Sequence, residues 1–424
     1  MNRLTRSSLA LMASTAATAG LGMLFWAVAA WAFEAAEVGR ASAGSSAMLL
    51  LATLGQLALT SVFARVLPPM THGRARFVLG GYAVVALICL LLTAAFFGIG
   101  FGDGFLTPSI VAVAVFGAGV AATAVSVVQD GALVALDRAA WVPVKNTALA
   151  VARMVLLPLL ARTAAPEPIL VAWAAPTVAA FVAVNLLMLV RRPPAAAGTG
   201  AQRPGRRDIA RLVGGQYANS VVNAVILFSP PVLVTAVLGP QANAVFFLPW
   251  TITTALIGLL WNVVVPFVVE ASGGRADVGA NLRQMVRAGT VITVGGALAL
   301  VILGPFVLRI AGSTYADDGA PVLRLLAIAL PFAAIGSYFN AAELVRLRSS
   351  VSLATKVLAA VLFLGAAVPA MHAAGVSGAA AAYLASQVIV GVLLLPPVLG
   401  WLRSHRPAPG RAEATLAVAR ESAP

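Results

Sequence analysis

Charge is the scarcest commodity in this sequence. Only 10% of its 424 residues are Asp, Glu, Lys or Arg, against about 25% in a soluble domain. With 61% hydrophobic residues and a mean hydropathy of +0.96, that shortage excludes a soluble globular fold. Long polar insertions are also missing, so there is no room for a soluble catalytic domain. Cys89 is the one cysteine, so no intramolecular disulfide can form. His72, His372 and His405 stand alone, without the short spacings of a metal site. No Gly-rich loop is followed by Lys, which removes an ATPase. Gly98 to Gly104 is Gly-rich but follows no strand, which removes a nucleotide site. No cofactor is expected. Lysine is limited to Lys145 and Lys356. The Arg excess, with the Ala abundance, reads as a GC-rich coding bias rather than as chemistry.

What the sequence does have is apolar runs. A membrane span needs about 20 mostly apolar residues. Runs of that kind cover about 8–33, 42–67, 77–100, 107–136, 140–162 and 168–190. After a break they resume at about 210–238, 242–269, 284–311, 320–345, 350–371 and 376–402, twelve in all. The first run is longer than the 7–15 residues of a signal-peptide core, so it is read as a retained span. Between the sixth and seventh runs lies a stretch rich in Pro, Gly, Ala and Arg, a natural boundary. The expected organisation is an N-terminal six-helix bundle over 1–191, a linker over 192–208, a C-terminal bundle over 209–402 and a disordered tail over 403–424.

The basic residues then sort by side. Of 28 Lys and Arg, only Arg40, Arg162, Arg309 and Arg324 fall in segments on one side of the twelve runs. The rest fall on the other, counting Arg153, which lies inside a run nearer that side. The Arg-poor side instead carries Glu34, Glu37, Asp103, Glu167, Asp317 and Asp318. Lys and Arg are retained on the cytoplasmic face during insertion, so both termini are expected in the cytoplasm. The net charge of +14 is spread over seven short segments. It serves topology and contact with anionic lipid headgroups, and nucleic acid is not an expected partner.

The two halves read as a repeat. A shift of 205 places Glu34 to Val38 on Gly239 to Asn243, and Arg65 on Glu270. A shift of 211 places Leu136 on Leu347 and Lys145 on Lys356. Both halves start on the same side, so the repeats are parallel, related by an axis along the membrane normal. The fold class expected is an all-α polytopic membrane protein, two parallel-repeat six-helix bundles with a central cavity.

Several local patterns now carry a resemblance. They are Gly39, Gly55-Gln56-Leu57-Ala58-Leu59 and Arg65-Val66-Leu67-Pro68 in the first half. In the second they are Pro230 to Val234, Leu238 to Phe247, Tyr315, Val322 to Ala327, Pro331 and Gly375 to Ala380. The chain resembles the polysaccharide-biosynthesis exporters, the O-antigen-type flippase branch of the multidrug/oligosaccharidyl-lipid/polysaccharide superfamily. The resemblance spans nearly the whole chain, but its motifs are degenerate. It implies a V-shaped, alternating-access cavity between two bundles in a bacterial cytoplasmic membrane. It also implies a polyprenyl-pyrophosphate-linked oligosaccharide as cargo, with membrane lipids and other polysaccharide-assembly membrane proteins as partners. Lipid II flippases of the superfamily usually carry two further C-terminal spans for which this sequence has no room, which argues against that cargo.

Candidate site residues follow from charges and amides inside spans. A mid-membrane charge is retained only with a partner or a function. Arg153 is one such charge; its guanidinium could pair bidentately with pyrophosphate, or with Asp130. Asp130 is the candidate for ion coupling. Arg65, at the inner end of the second run, could guide the headgroup, though topology alone explains it. Gln216, Asn219 and Asn223, three and four apart, share one helix face and could meet sugar hydroxyls or bond between helices. Glu270 and Glu343 read as solvated charges at helix ends. Arg309 and Arg324 could face the exit of the cavity, or pair with Asp317 and Asp318.

Three functions stay open at this point. A flippase would need a cationic, hydrated cavity. A cation-coupled multidrug exporter of the same superfamily would place acids there. A membrane glycan polymerase or glycosyltransferase could use Glu34 and Glu37, but would be expected to carry a larger outer region.

Overall fold

The computed structural model describes residues 20–404 except 71, 101, 103–108, 164–166, 191–205, 273–277 and 347. Most of the interbundle linker and all but the first two residues of the C-terminal tail expected from the sequence therefore lie outside the described residues. The described chain is helical: α1 Gly20–Ala32, α2 Ala35–Gly55, α3 Leu59–Val66, α4 Arg74–Gly98, α5 Ile110–Ala135, α6 Trp141–Leu160, α7 Pro168–Val190, α8 Arg206–Leu238, α9 Pro240–Ser272, α10 Val278–Thr290, α11 Gly296–Ala311, α12 Ser313–Val345 and α13 Ser349–Ser404. A π-helical turn, Val291–Gly295, joins α10 to α11.

Among the described residues, nine helical stretches are long and apolar enough to cross a membrane. The bent pair α2–α3 makes a tenth. The 56-residue α13 is broken at Ala374 and Gly375 and counts as two, giving eleven. Helix α1 is the described end of the first apolar run, the twelfth expected from the sequence. The chain is a multi-pass membrane protein of two six-span halves.

The helices differ from the apolar runs in several places, and two breaks have local causes. The second run is not one straight span: α2 and α3 meet at 44°. Leu57 and Ala58 adopt left-handed backbone, φ 49° and 53°, which L-residues seldom occupy and which ends α2. Gly375, φ +57°, makes the turn inside α13, where its missing Cβ removes the steric cost. A Cβ on nearby Gly378 would overlap the Ala370 carbonyl. Helix α8 begins at Arg206, inside the stretch read as linker. Asp317 and Asp318 lie within α12 rather than in a loop.

Helix α2 is the centre of the molecule. Its sequence AAEVGRASAGSSAM is built of small residues, and nearly every residue from Val38 to Met48 is buried. Small residues let helix backbones approach closely where lipid supplies no hydrophobic drive. Its serines donate back to the helix: Ser42 to Gly39 O (3.1 Å), Ser45 and Ser46 to Ser42 O (2.9 and 2.8 Å). That keeps buried hydroxyls satisfied. Helices α8 and α9 of the second half pack directly on α2. By contrast α4 turns Leu79, Leu87, Leu90 and Leu91 outward, as a lipid-facing helix should.

Candidate functional site

The halves meet most tightly at the Arg-poor end. Gly39 of α2 lies against the first turn of α9, where a Cβ would overlap the Pro240 carbonyl and press on the Ala244 nitrogen. Asn243, fully buried, donates to Gly39 O and Ser42 Oγ, both at 2.9 Å. Val232, Ala244, Phe247 and Leu248 of the second half join the apolar core of the first. Two sequence patterns noted separately, Gly39 and Gly239 to Asn243, are thus the two sides of one seal. Toward the basic end the contact narrows to α8. There Ser61 donates to Gln216 Oε1 (2.5 Å) and Tyr217 Oη to Leu54 O (2.7 Å).

Beneath the seal is a cavity of about 490 Å³ between the halves, lined by α1, α2 and α7 on one side and α8 and α9 on the other. Its ceiling is aromatic. Trp26 packs edge-on against Phe247 (4.7 Å between centroids) and lies 5.8 Å from Trp173. Trp26 is six residues from the end of α1, about 9 Å at 1.5 Å per residue. The lowest lining residue of α9, Asn262, lies about 33 Å from Pro240 by the same measure. The cavity therefore runs from the seal toward the basic end. Its polar lining is Ser45, Ser46, Thr251, Thr254 and Asn262, with Trp250 beside them. Trp250 Nε1 donates to Leu227 O at 3.0 Å. Trp173 Nε1 is buried without a hydrogen-bond partner among the described residues.

None of the cavity's lining residues among the described residues is charged. The expected cationic cavity is therefore not found at its surface, and neither are the acids expected of a drug exporter. The cation stands one layer back. Arg153 Cζ lies 3.7 Å from the centre of the Trp173 ring. The guanidinium donates to Trp173 O and Thr177 Oγ1, both at 3.0 Å. It does not pair with Asp130, because a lysine takes that carboxylate: Lys145 Nζ is 2.5 Å from Asp130 Oδ1. Lys145 also donates to Ser126 O and Oγ at 2.9 Å, and Asn146 reaches Asp130 at 3.4 Å. Asp130 thus sits between α5 and α6, outside the cavity lining.

The other candidates divide. Gln216 reaches across to α3 as above. Arg65 lies one turn beyond Ser61 on α3, and its Nη1 is buried without a hydrogen-bond partner among the described residues. Asn219 turns instead into the second half, accepting from Lys356 Nζ at 2.9 Å, and Asn223 lines a small pocket there. Glu343 corrects the reading of solvated helix-end acids: it is buried and paired with Arg346 at 3.0 Å. Glu270 does accept from Asn281 in the open (2.8 Å). Among the described residues Arg309 and Arg324 form no ion pair with Asp317 or Asp318; Arg309 lies 6.0 Å from the Phe306 ring. No group of three or more His, Cys, Asp or Glu that could hold a metal occurs among the described residues.

Sequence reasoning missed the aromatic and hydroxyl lining. A signal was present: Trp normally sits at membrane interfaces, whereas Trp250 lies ten residues into α9, with Thr251 and Thr254 beside it.

Searches for a matching family model and for similar curated proteins found none. Solved structures do match. An inward-facing multidrug resistance MATE family transporter of the MOP superfamily superposes with a TM-score of 0.69 at 15% identity, covering 92% of this chain and 95% of that one. The lipid II flippase MurJ in an inward closed conformation gives 0.74 at 13% identity, covering 92% and 87%. An outward-facing MATE family transporter of the same superfamily gives 0.63 at 14%, covering 94% and 96%. At such identities the likeness is one of fold, and that fold is the twelve-helix, two-lobe architecture of the MOP superfamily.

Proposed function

We propose that the protein is a flippase that moves a polyprenyl-pyrophosphate-linked oligosaccharide across the cytoplasmic membrane by alternating access, for cell-surface polysaccharide assembly. The observation that carries this reading is Arg153 stacked behind Trp173 at an otherwise uncharged, aromatic and hydroxyl-rich cavity. Indole faces suit the apolar faces of sugar rings, and the Ser, Thr and Asn side chains suit sugar hydroxyls. The guanidinium occupies the outer face of Trp173 and makes the wall electropositive. A cationic drug is disfavoured there and an anionic cargo favoured. Arg65, toward the basic end of α3, is assigned to the pyrophosphate, a geometry guanidinium matches with paired hydrogen bonds. The basic end is taken as cytoplasmic, so the cavity opens toward the leaflet where such cargo is made. A lipid-linked cargo is also what the name of one fold neighbour, the lipid II flippase, states for that protein.

The rival is a multidrug exporter, as the other neighbours are named. Aromatic faces do attract organic cations, so the test needs two arms. In proteoliposomes, the wild-type protein should expose a short polyprenyl-pyrophosphate oligosaccharide to an external lectin. Trp173→Ala should slow this about tenfold, equivalent to about 1.4 kcal/mol, while Trp173→Phe keeps part. Protein-dependent efflux of an organic cation dye with no movement of the lipid-linked sugar would establish the rival.

A further inference from the structure

The two halves treat one position differently. The 211-residue shift that places Lys145 on Lys356 also places Ser126 on Ser337 and Asp130 on Ala341. In the first half those residues form a closed unit, with Lys145 held by Ser126 and neutralised by Asp130. In the second half the lysine and the serine are present and the carboxylate is gone. Ala341 is buried. Lys356 donates to the neutral Asn219 Oδ1 and lies 5.5 Å from the Trp261 ring. Among the described residues it has no carboxylate within ion-pair distance, the two ion pairs being Lys145–Asp130 and Arg346–Glu343.

Beside Lys356 there is space, one residue from Ala341 along α12. A pocket of about 110 Å³ is bounded by Lys356, Asn223, Ser337, Asn340, Thr355 and Gln387, together with Trp261 and apolar neighbours. It has no acidic lining residue. Asn340 Oδ1 is already occupied by the Ser352 hydroxyl at 2.7 Å, which leaves the Asn340 amide N–H groups to donate. The void is several times the roughly 10–15 Å³ that one water needs, enough for a small anion with part of its hydration. Lys356 is half-buried and its partners are neutral; an ammonium drawn partly out of water without a counter-charge is destabilising, so it calls for a negative charge from outside the chain.

We infer that the C-terminal half holds a small-anion site, in which an inorganic anion or a phosphate group binds Lys356 and takes the place that Asp130 fills in the first half. The site is distinct from the central cavity. On α8, Ile226 lines the anion pocket and its neighbour Leu227 the cavity; on α9, Trp261 and Asn262 divide in the same way. The anion therefore braces the far side of the wall against which the cargo lies.

The test is thermal unfolding of the full-length protein. In detergent, chloride or phosphate should raise the Tm saturably above that in an equal ionic strength of gluconate. A second arm uses nanodiscs in gluconate, comparing phosphatidylglycerol with phosphatidylcholine. A shift with dissolved anions assigns the site to them, and a shift only with the anionic lipid assigns it to lipid phosphate. In either case Lys356→Gln must abolish the shift. So must Ala341→Asp, which returns the counter-charge to the chain and should itself raise the Tm in gluconate. Should Lys356→Gln not fold, Ala341→Asp carries the test alone. No shift in either arm, or a shift unchanged in Ala341→Asp, overturns the site.

Discussion

Arg153 shows how far a single residue can be read from sequence. Its depth in a span marked it, because a charge in hydrocarbon costs at least a few kcal/mol. Its partners were not legible: an indole ring, a main-chain carbonyl and a hydroxyl on the next helix are neutral groups that leave no charge pattern. Arg153→Ala should insert normally and lower flipping about tenfold or more, by releasing Trp173 from its stacked position. Arg153→Lys should restore only part, since an ammonium cannot stack as a plane and hold both acceptors. Near-wild-type flipping by a well-inserted Arg153→Ala protein would remove the residue from the mechanism. For Asp130 the unforeseen partner was Lys145. Asp130→Asn strands that buried ammonium, which costs about 3–5 kcal/mol in a fully buried pair. The loss should be smaller here because the Asp130 side chain keeps 25% exposure. The double variant Asp130→Asn/Lys145→Met should unfold at a higher temperature than Asp130→Asn alone. Ion coupling through Asp130 requires Lys145 to let go. Loss of pH or sodium dependence in Asp130→Asn transport would assign that role, and unchanged dependence would withdraw it.

At the scale of the element, the apolar runs gave the helices and most of their ends, because a span has a fixed minimum length. The break in α13 was legible as the gap between the last two runs, while the one inside the second run was not. Gly375 and Gly378 punctuate α13, whereas Leu57 and Ala58 carry left-handed backbone that their side chains do nothing to advertise. The α2–α9 crossing makes the sharpest prediction at this scale. Gly39→Val should pry the seal apart, since even one added carbon collides with the Pro240 carbonyl. In a Cys89→Ala background, a cysteine at Ser45 lines the cavity below the seal. It should resist a membrane-impermeant maleimide added from the Arg-poor side, and become labelled once Gly39→Val is added. Equal protection in both would place the barrier elsewhere.

For the whole molecule, the charge asymmetry foretold two ends, and the fold gives them different structures: a tight contact between the halves at one, and a cavity that extends from it toward the other. A reporter fused after Pro194 should read cytoplasmic, and one at Gly312, in the turn between α11 and α12, should read external. The same side for both would break the twelve-span topology. The cavity's character was the least legible property, since it arises from five helices distant in sequence, each contributing only a few residues. The seal has one more consequence. Gly39 abuts Ala244, the residue that the 205-residue shift makes its own counterpart, so the pseudo-symmetry axis passes through their contact. A surface that meets its own copy on such an axis needs no second, complementary surface. A chain of half this length, inserted in one orientation, could already have paired with an identical neighbour there, and duplication would then have left each copy free to diverge, one keeping its carboxylate and the other losing it.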